Sequence, residues 1–166
     1  SRSDLVRAAI TQYFFINLDD PEKKNPKLIV SQELMKFFLS KLTEEELVEA
    51  GKKFHEIGKN DDYLDKLLNP NKESKTPEQN FKYIMDSLKE NIFSSYGQNW
   101  ANKISIEYNK GESIVKFAIS HDLGRNFSIL ARSLILAFAQ DFGFVKKREK
   151  IDEKYLLLDI GKNEEN

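Results

Sequence analysis

The sequence predicts an α+β fold rich in helix, and three observations predict it. Apolar residues recur at helical spacing from the start of the chain to about residue 94. Strict alternation then takes over at residues 103–108, around a turn signal that reads as a hairpin. The longest apolar stretch, residues 127–138, follows that hairpin and precedes two more strand-like runs. A helix placed after an antiparallel hairpin has to cover one sheet face, so the C-terminal part is expected as a two-layer unit of antiparallel strands under one long helix. The chain reads as an N-terminal helix at 1–16, a linker at 17–30 and an α+β domain with central helices over 31–162.

The first helix runs to about residue 15. Ser1 is placed to cap its first turn, and Asp4 completes a capping-box pattern three residues on. Leu5, Val6, Ala9, Ile10, Tyr13 and Phe14 share one face, which is too wide and too apolar for an isolated helix. Residues 17–27 (NLDDPEKKNPK) break the pattern with two prolines and adjacent aspartates. Ser31 caps a segment carrying Leu34, Phe37 and Phe38. Thr43-Glu44-Glu45-Glu46 is a capping box for a helix to about Ile57, with Gly58 as its stop. A short helix at 60–68 ends at Asn69-Pro70, and a polar loop follows. Thr76, Pro77 and Gln79 then open a helix bearing Phe81, Ile84, Met85, Leu88 and Ile92 as far as about Ser94.

The tail changes period. Lys103-Ile104-Ser105-Ile106-Glu107-Tyr108 alternates, residues 114–119 do so less strictly, and Asn109-Lys110-Gly111-Glu112 makes the turn between them. After Leu123-Gly124 a long helix spans about Phe127 to Phe142, with Asp122 or Asn126 as its cap and Gly143 as its end. Residues 144–148 and 155–160 read as strands joined by a charged turn at 149–154.

With 166 residues the chain has room for one domain and a small appendage. Its 26 basic and 27 acidic side chains leave a net charge of −1, so any nucleic-acid contact has to be local. The absence of cysteine excludes disulfides, thiolate metal sites and cysteine nucleophiles. No apolar run approaches the ~20 residues of a membrane-spanning helix, and a soluble, cytoplasmic protein that does not engage a membrane is expected. No catalytic residue, metal site or cofactor is expected either. Only His55 and His121 are available as imidazoles, no glycine-rich loop matches a phosphate cradle, and the acidic runs read as charges at helix starts.

The opening SRSDLVRAAITQYF resembles the second helix of ribbon-helix-helix transcription regulators, the family of plasmid copy-control and nickel-responsive repressors. The match rests on Ser1, Arg2, Ser3, Asp4, Leu5, Val6, Arg7, Ile10, Tyr13 and Phe14. The resemblance implies that Ser1, Arg2 and Ser3 hold DNA phosphates at a helix N-terminus, which offers free amides and a partial positive charge. It also implies that Leu5, Val6, Ile10, Tyr13 and Phe14 pack against a second copy, making a homodimer. That family reads bases with a strand preceding its first helix, and neither precedes Ser1 in this sequence. DNA is therefore an expected partner only with that segment joined. Residues 31–162 would then be an effector or oligomerisation domain responding to a small molecule or a protein. A nickel-type sensor is not expected, since it would need a histidine cluster.

A stand-alone protein-interaction or small-molecule-binding module without a DNA role is the alternative, the opening helix then being an ordinary capped helix. Its ligand residues would be Trp100, His121, Arg125 and Asn126. Ser120-His121-Asp122-Leu123-Gly124-Arg125-Asn126 lies between a strand and the most apolar helix, a geometry that presents amides to an anion. A plainer reading has Gly124 making the turn, His121 satisfying a backbone group and Trp100 lidding the core. The segment also resembles the phosphoacceptor box of sensor histidine kinases, but Gly124 and the preceding strand depart from it. Arg132, amid an apolar helix, either pairs with a buried carboxylate, faces a cleft or lies along the solvent edge.

Overall fold

The computed structural model describes residues 31–60, 77–93, 100–109 and 114–163. The expected helix at 1–16, the linker, residues 61–68 of the expected short helix at 60–68 and the tip of the first hairpin lie outside the described residues. The chain divides into two units, Ser1–Ser31 and Gln32–Asn166, and the second is the one built up below.

Two helices open it, α1 (Gln32–Leu39) and α2 (Glu44–Asn60). The capping box between them is reciprocal. The Glu46 amide donates to Thr43 Oγ1 at 3.3 Å, and the Thr43 amide donates to Glu46 Oε2 at 2.7 Å. Gly58 does not stop α2, which runs on to Asn60. The glycine that matters is Gly51, where a Cβ would stand 2.6 Å from Ser133 Cβ. Only a bare backbone lets α2 approach the long helix this closely.

Helix α3 (Pro77–Leu88) passes directly into a π-helical turn, Lys89–Phe93. The sequence predicts one unbroken helix here, with Ile92 on its apolar face. The wide turn inserts one residue, so the buried positions run Phe81, Ile84, Met85, Leu88 and then Phe93, while Ile92 is only half-buried. Phe81 in turn stacks on Phe144, with ring centroids 4.2 Å apart.

Strands β1 (Lys103–Asn109), β2 (Ile114–Ser120), β3 (Phe144–Ile151) and β4 (Tyr155–Lys162) form one antiparallel sheet in the order β1-β2-β4-β3. Ile104, Ile106 and Tyr108 lie opposite Ile119, Phe117 and Val115. Those three in turn lie opposite Leu156, Leu158 and Ile160, so one face is apolar across three strands. The second hairpin is longer than its sequence suggests. The expected charged turn at 149–154 is strand as far as Ile151, and only Asp152 to Lys154 turn, closed by the Asp152 amide on the Tyr155 carbonyl at 2.9 Å. A bulge between Lys146 and Arg148 shifts the register of β3.

Helix α4 (Arg125–Gln140) lies on the apolar face of the sheet. Its other side packs on α2, adding a further layer to the sheet-and-helix unit. That is why its sequence is apolar nearly all round: Phe127, Ile129, Leu130, Ala131, Leu134, Ile135, Phe138 and Ala139 are all buried. It starts and ends two residues earlier than the pattern of apolar residues suggests, at Arg125 and Gln140. Gly143 follows at φ 73°, in the left-handed region where glycine is favoured. No described helix is long and apolar enough to cross a membrane.

Candidate functional site

The β2–α4 junction is the densest polar cluster, and its construction starts from Gly124. This residue adopts φ 85° and supplies the N-cap position of α4 without a side chain. Neither Asp122 nor Asn126 caps the helix, contrary to the expectation from sequence. Asp122 accepts a hydrogen bond from Asn102 Nδ2 at 2.6 Å instead. The Arg125 amide at the head of α4 donates to Glu153 Oε2 at 3.1 Å, from the β3–β4 turn. A carboxylate of the chain itself thus sits where an anion would bind, at the positive end of the helix.

His121 is buried, 1% exposed, and its ring edge meets Phe127 at 4.6 Å between centroids. Its Nδ1 accepts the Leu123 amide at 3.3 Å, which leaves the proton on Nε2. Nε2 then donates to Ser128 Oγ at 2.7 Å, and the serine hydroxyl turns to the carbonyls of Asp152 at 3.1 Å and Tyr155 at 3.2 Å. The His121 amide adds a bond to the Lys154 carbonyl at 2.9 Å. Burial pushes the imidazole down to about 4, against the smaller opposing pull of Asp122 and Glu153, so it is neutral at pH 7. This Ser–His pair has the wrong polarity for a nucleophile. Activation needs the imidazole to take the serine proton, and here it gives one. The pair fastens the second hairpin to the start of α4.

The four candidate ligand residues separate into two groups. Trp100 is half-buried and sets its ring edge-on to Phe127 at 6.1 Å and to Phe54 at 5.6 Å, so it and His121 converge on Phe127. Arg125 and Asn126 serve the two leading helices. Arg125 reaches Glu44 at 3.6 Å, and Asn126 Nδ2 donates to the carbonyls of Leu39 at 2.7 Å and Leu42 at 3.4 Å. Asn126 therefore closes the C-terminal end of α1.

Arg132 proves to be the centre of a charge cluster. Its guanidinium lies 3.7 Å from Glu44 and 3.5 Å from Glu149, and Lys146 bonds Glu149 at 2.7 Å. Burial raises the Glu149 carboxyl, but the Lys146 hydrogen bond and the Arg132 charge outweigh it and hold the group below the ordinary glutamate range. The cluster joins α2, α4 and β3. Two further pairs were not legible in the sequence. His55 Nε2 meets Asp141 Oδ2 at 2.8 Å, with its ring edge-on to Phe138. Tyr108 donates to Asp86 Oδ1 at 3.1 Å, and burial together with that carboxylate pushes its hydroxyl well above the usual phenol range.

Among the described residues no group of three or more His, Cys, Asp or Glu side chains is arranged to hold a metal. A shallow depression along α2 is lined by Glu44, Glu45, Val48, Glu49 and Lys52. The apolar exposure is concentrated on α1 and the neighbouring loop, at Leu34, Phe37, Phe38 and Leu42, with Phe54 and Ile57 exposed on α2. Ser1, Arg2, Ser3, Leu5, Val6, Ile10, Tyr13 and Phe14, the expected phosphate and dimer contacts, lie outside the described residues. No family model, curated protein or solved structure matches this chain.

Proposed function

We propose that this chain is the C-terminal part of a dimeric DNA-binding transcription regulator. The observation that carries the proposal is the opening SRSDLVRAAITQYF, with its cationic, serine-rich entrance and apolar stripe. In this reading Ser1, Arg2 and Ser3 contact phosphates, and Leu5, Val6, Ile10, Tyr13 and Phe14 join two copies. Residues 31–162 serve assembly rather than catalysis. Support for that assignment comes from the β2–α4 junction, whose His121, Ser128 and Asn126 all hold other parts of the same fold. The exposed Phe37 and Phe38 favour a protein contact over a small-molecule effector for this unit.

The test is fluorescence anisotropy of the product of the whole reading frame on duplex DNA over a salt series. Binding is expected, and Arg2→Ala should weaken it on all sequences alike and reduce the salt slope by about one unit per DNA-contacting Arg2. No binding at low salt, or an Arg2→Ala slope identical to wild type, would refute the assignment.

A further inference from the structure

Among the described residues, the two edges of the sheet are built differently. Strand β3 carries Lys146, Lys147, Arg148 and Lys150, and a bulge interrupts its register. Cations and a bulge are what keep an edge strand from pairing with another chain. Strand β1, the opposite edge, has no bulge and pairs with β2 in unbroken register from Lys103 to Asn109. Its inner-face side chains Ile104, Ile106 and Tyr108 remain only partly buried.

The sequence of β1 is also complementary to itself. Reversed about Ser105, Lys103-Ile104-Ser105-Ile106-Glu107 sets Lys103 against Glu107, Ile104 against Ile106 and Ser105 against its own copy. Antiparallel pairing about that centre keeps Ile104 and Ile106 on the inner face of both copies. It also places one lysine–glutamate pair on each side of the axis, on the outer face. Within its own sheet Glu107 lies opposite Lys116 of β2. Across the seam, moving the centre by one residue either way sets Lys103 against Asn109 or Ser105 and leaves Glu107 without a cation opposite it on the other copy. A slip that changes parity would bring isoleucines to the outer face.

We propose that β1 is the seam along which two copies of this chain pair, antiparallel about a two-fold axis at Ser105, joining their sheets into one. The occupant of the edge is a second copy, selected by charge complementarity. The seam is independent of any DNA contact, and it adds a second joint to the one assigned to residues 1–16.

Sedimentation equilibrium of the full chain in a Leu5→Glu/Ile10→Glu background isolates this seam from the N-terminal helix. In that background a dimer should persist. Lys103→Glu sets like charges against each other twice per interface and should raise its dissociation constant about tenfold. Adding Glu107→Lys restores opposite charges and should return the constant close to its starting value. Amide exchange of the unmodified chain supplies a second reading, with residues 103–107 more protected as concentration rises. A monomer in the background variant together with concentration-independent exchange of β1 would overturn the proposal. So would a dimer whose constant is the same with and without Lys103→Glu.

Discussion

Replacing His121 with glutamine should remove a specific part of the acid sensitivity of this fold. The imidazole is held neutral down to about pH 4, whereas in the unfolded chain it titrates near its ordinary 6.5. The sign follows from proton counting. Between those values the unfolded state binds a proton that the native state does not, so stability falls as pH drops below about 6.5 and the loss is complete near 4. Going from pH 7 to pH 5, this one group should cost about 2 kcal/mol, and about 3 kcal/mol by the time the folded imidazole ionises. Glutamine offers an oxygen to the Leu123 amide and an NH2 to Ser128 Oγ, but does not titrate. The variant will lose some packing against Phe127 at every pH. Urea unfolding at pH 7 and pH 5 separates this constant loss from the pH-dependent one. Wild type should lose about 2 kcal/mol more than His121→Gln over that interval. Equal pH dependence in both proteins would refute the buried, neutral imidazole, as would an imidazole resonance titrating near 6.5 that disappears in His121→Gln.

Two other substitutions test how the helices are held. Gly51→Ala forces a methyl to within 2.6 Å of Ser133 Cβ and should destabilise the fold by about 2–3 kcal/mol, read by urea unfolding. A Gly51→Ala protein as stable as wild type would mean the helices are not in contact there. Asn126→Ala removes the donor to Leu39 and Leu42 and should lower stability by about 1–2 kcal/mol. The same change should speed amide exchange in the last turn of α1 while leaving β4 unaffected; uniform acceleration throughout would argue against a local clasp.

Legibility in the sequence followed the distance between interacting residues. The Thr43 capping box joins groups three residues apart and could be read directly. The strands of both hairpins could be read as well, because alternation is local, though the second turn is shorter than the charged run 149–154 suggests. So could the long α4, because burial on two sides makes it apolar all round. The cap of α4 could not be read. Its partner is Glu153, 28 residues on, whereas the sequence offers the adjacent Asp122 and Asn126. For a similar reason Asn126 does not cap the helix, since the carbonyl it serves lies 87 residues earlier. The π-helical turn and the β3 bulge each insert a single residue. Such shifts leave the composition of an element unchanged and reveal themselves only in which side chain faces the core, as with Phe93 in place of Ile92. The candidate site is the least legible part, because polar residues at a strand–helix junction look alike whether they await a ligand or bind other parts of the fold.

That distinction can be argued from the bonds themselves. A ligand at the head of α4 would have to displace the Glu153 carboxylate from the Arg125 amide, a charge-assisted bond contributing about 1.5–3 kcal/mol. A ligand at His121 would have to open the Ser128 link and the two carbonyl contacts behind it, exposing groups that now have partners. Neither competition favours a small molecule. Among the described residues, the exposed Phe37 and Phe38 of α1 and the edge strand β1 make no such demand. Both suit a polypeptide, and they differ in what they select. An apolar face accepts many shapes, whereas a strand edge fixes direction and register residue by residue. In the regulator proposed above, holding two DNA-binding halves at fixed spacing would call for the second kind of joint.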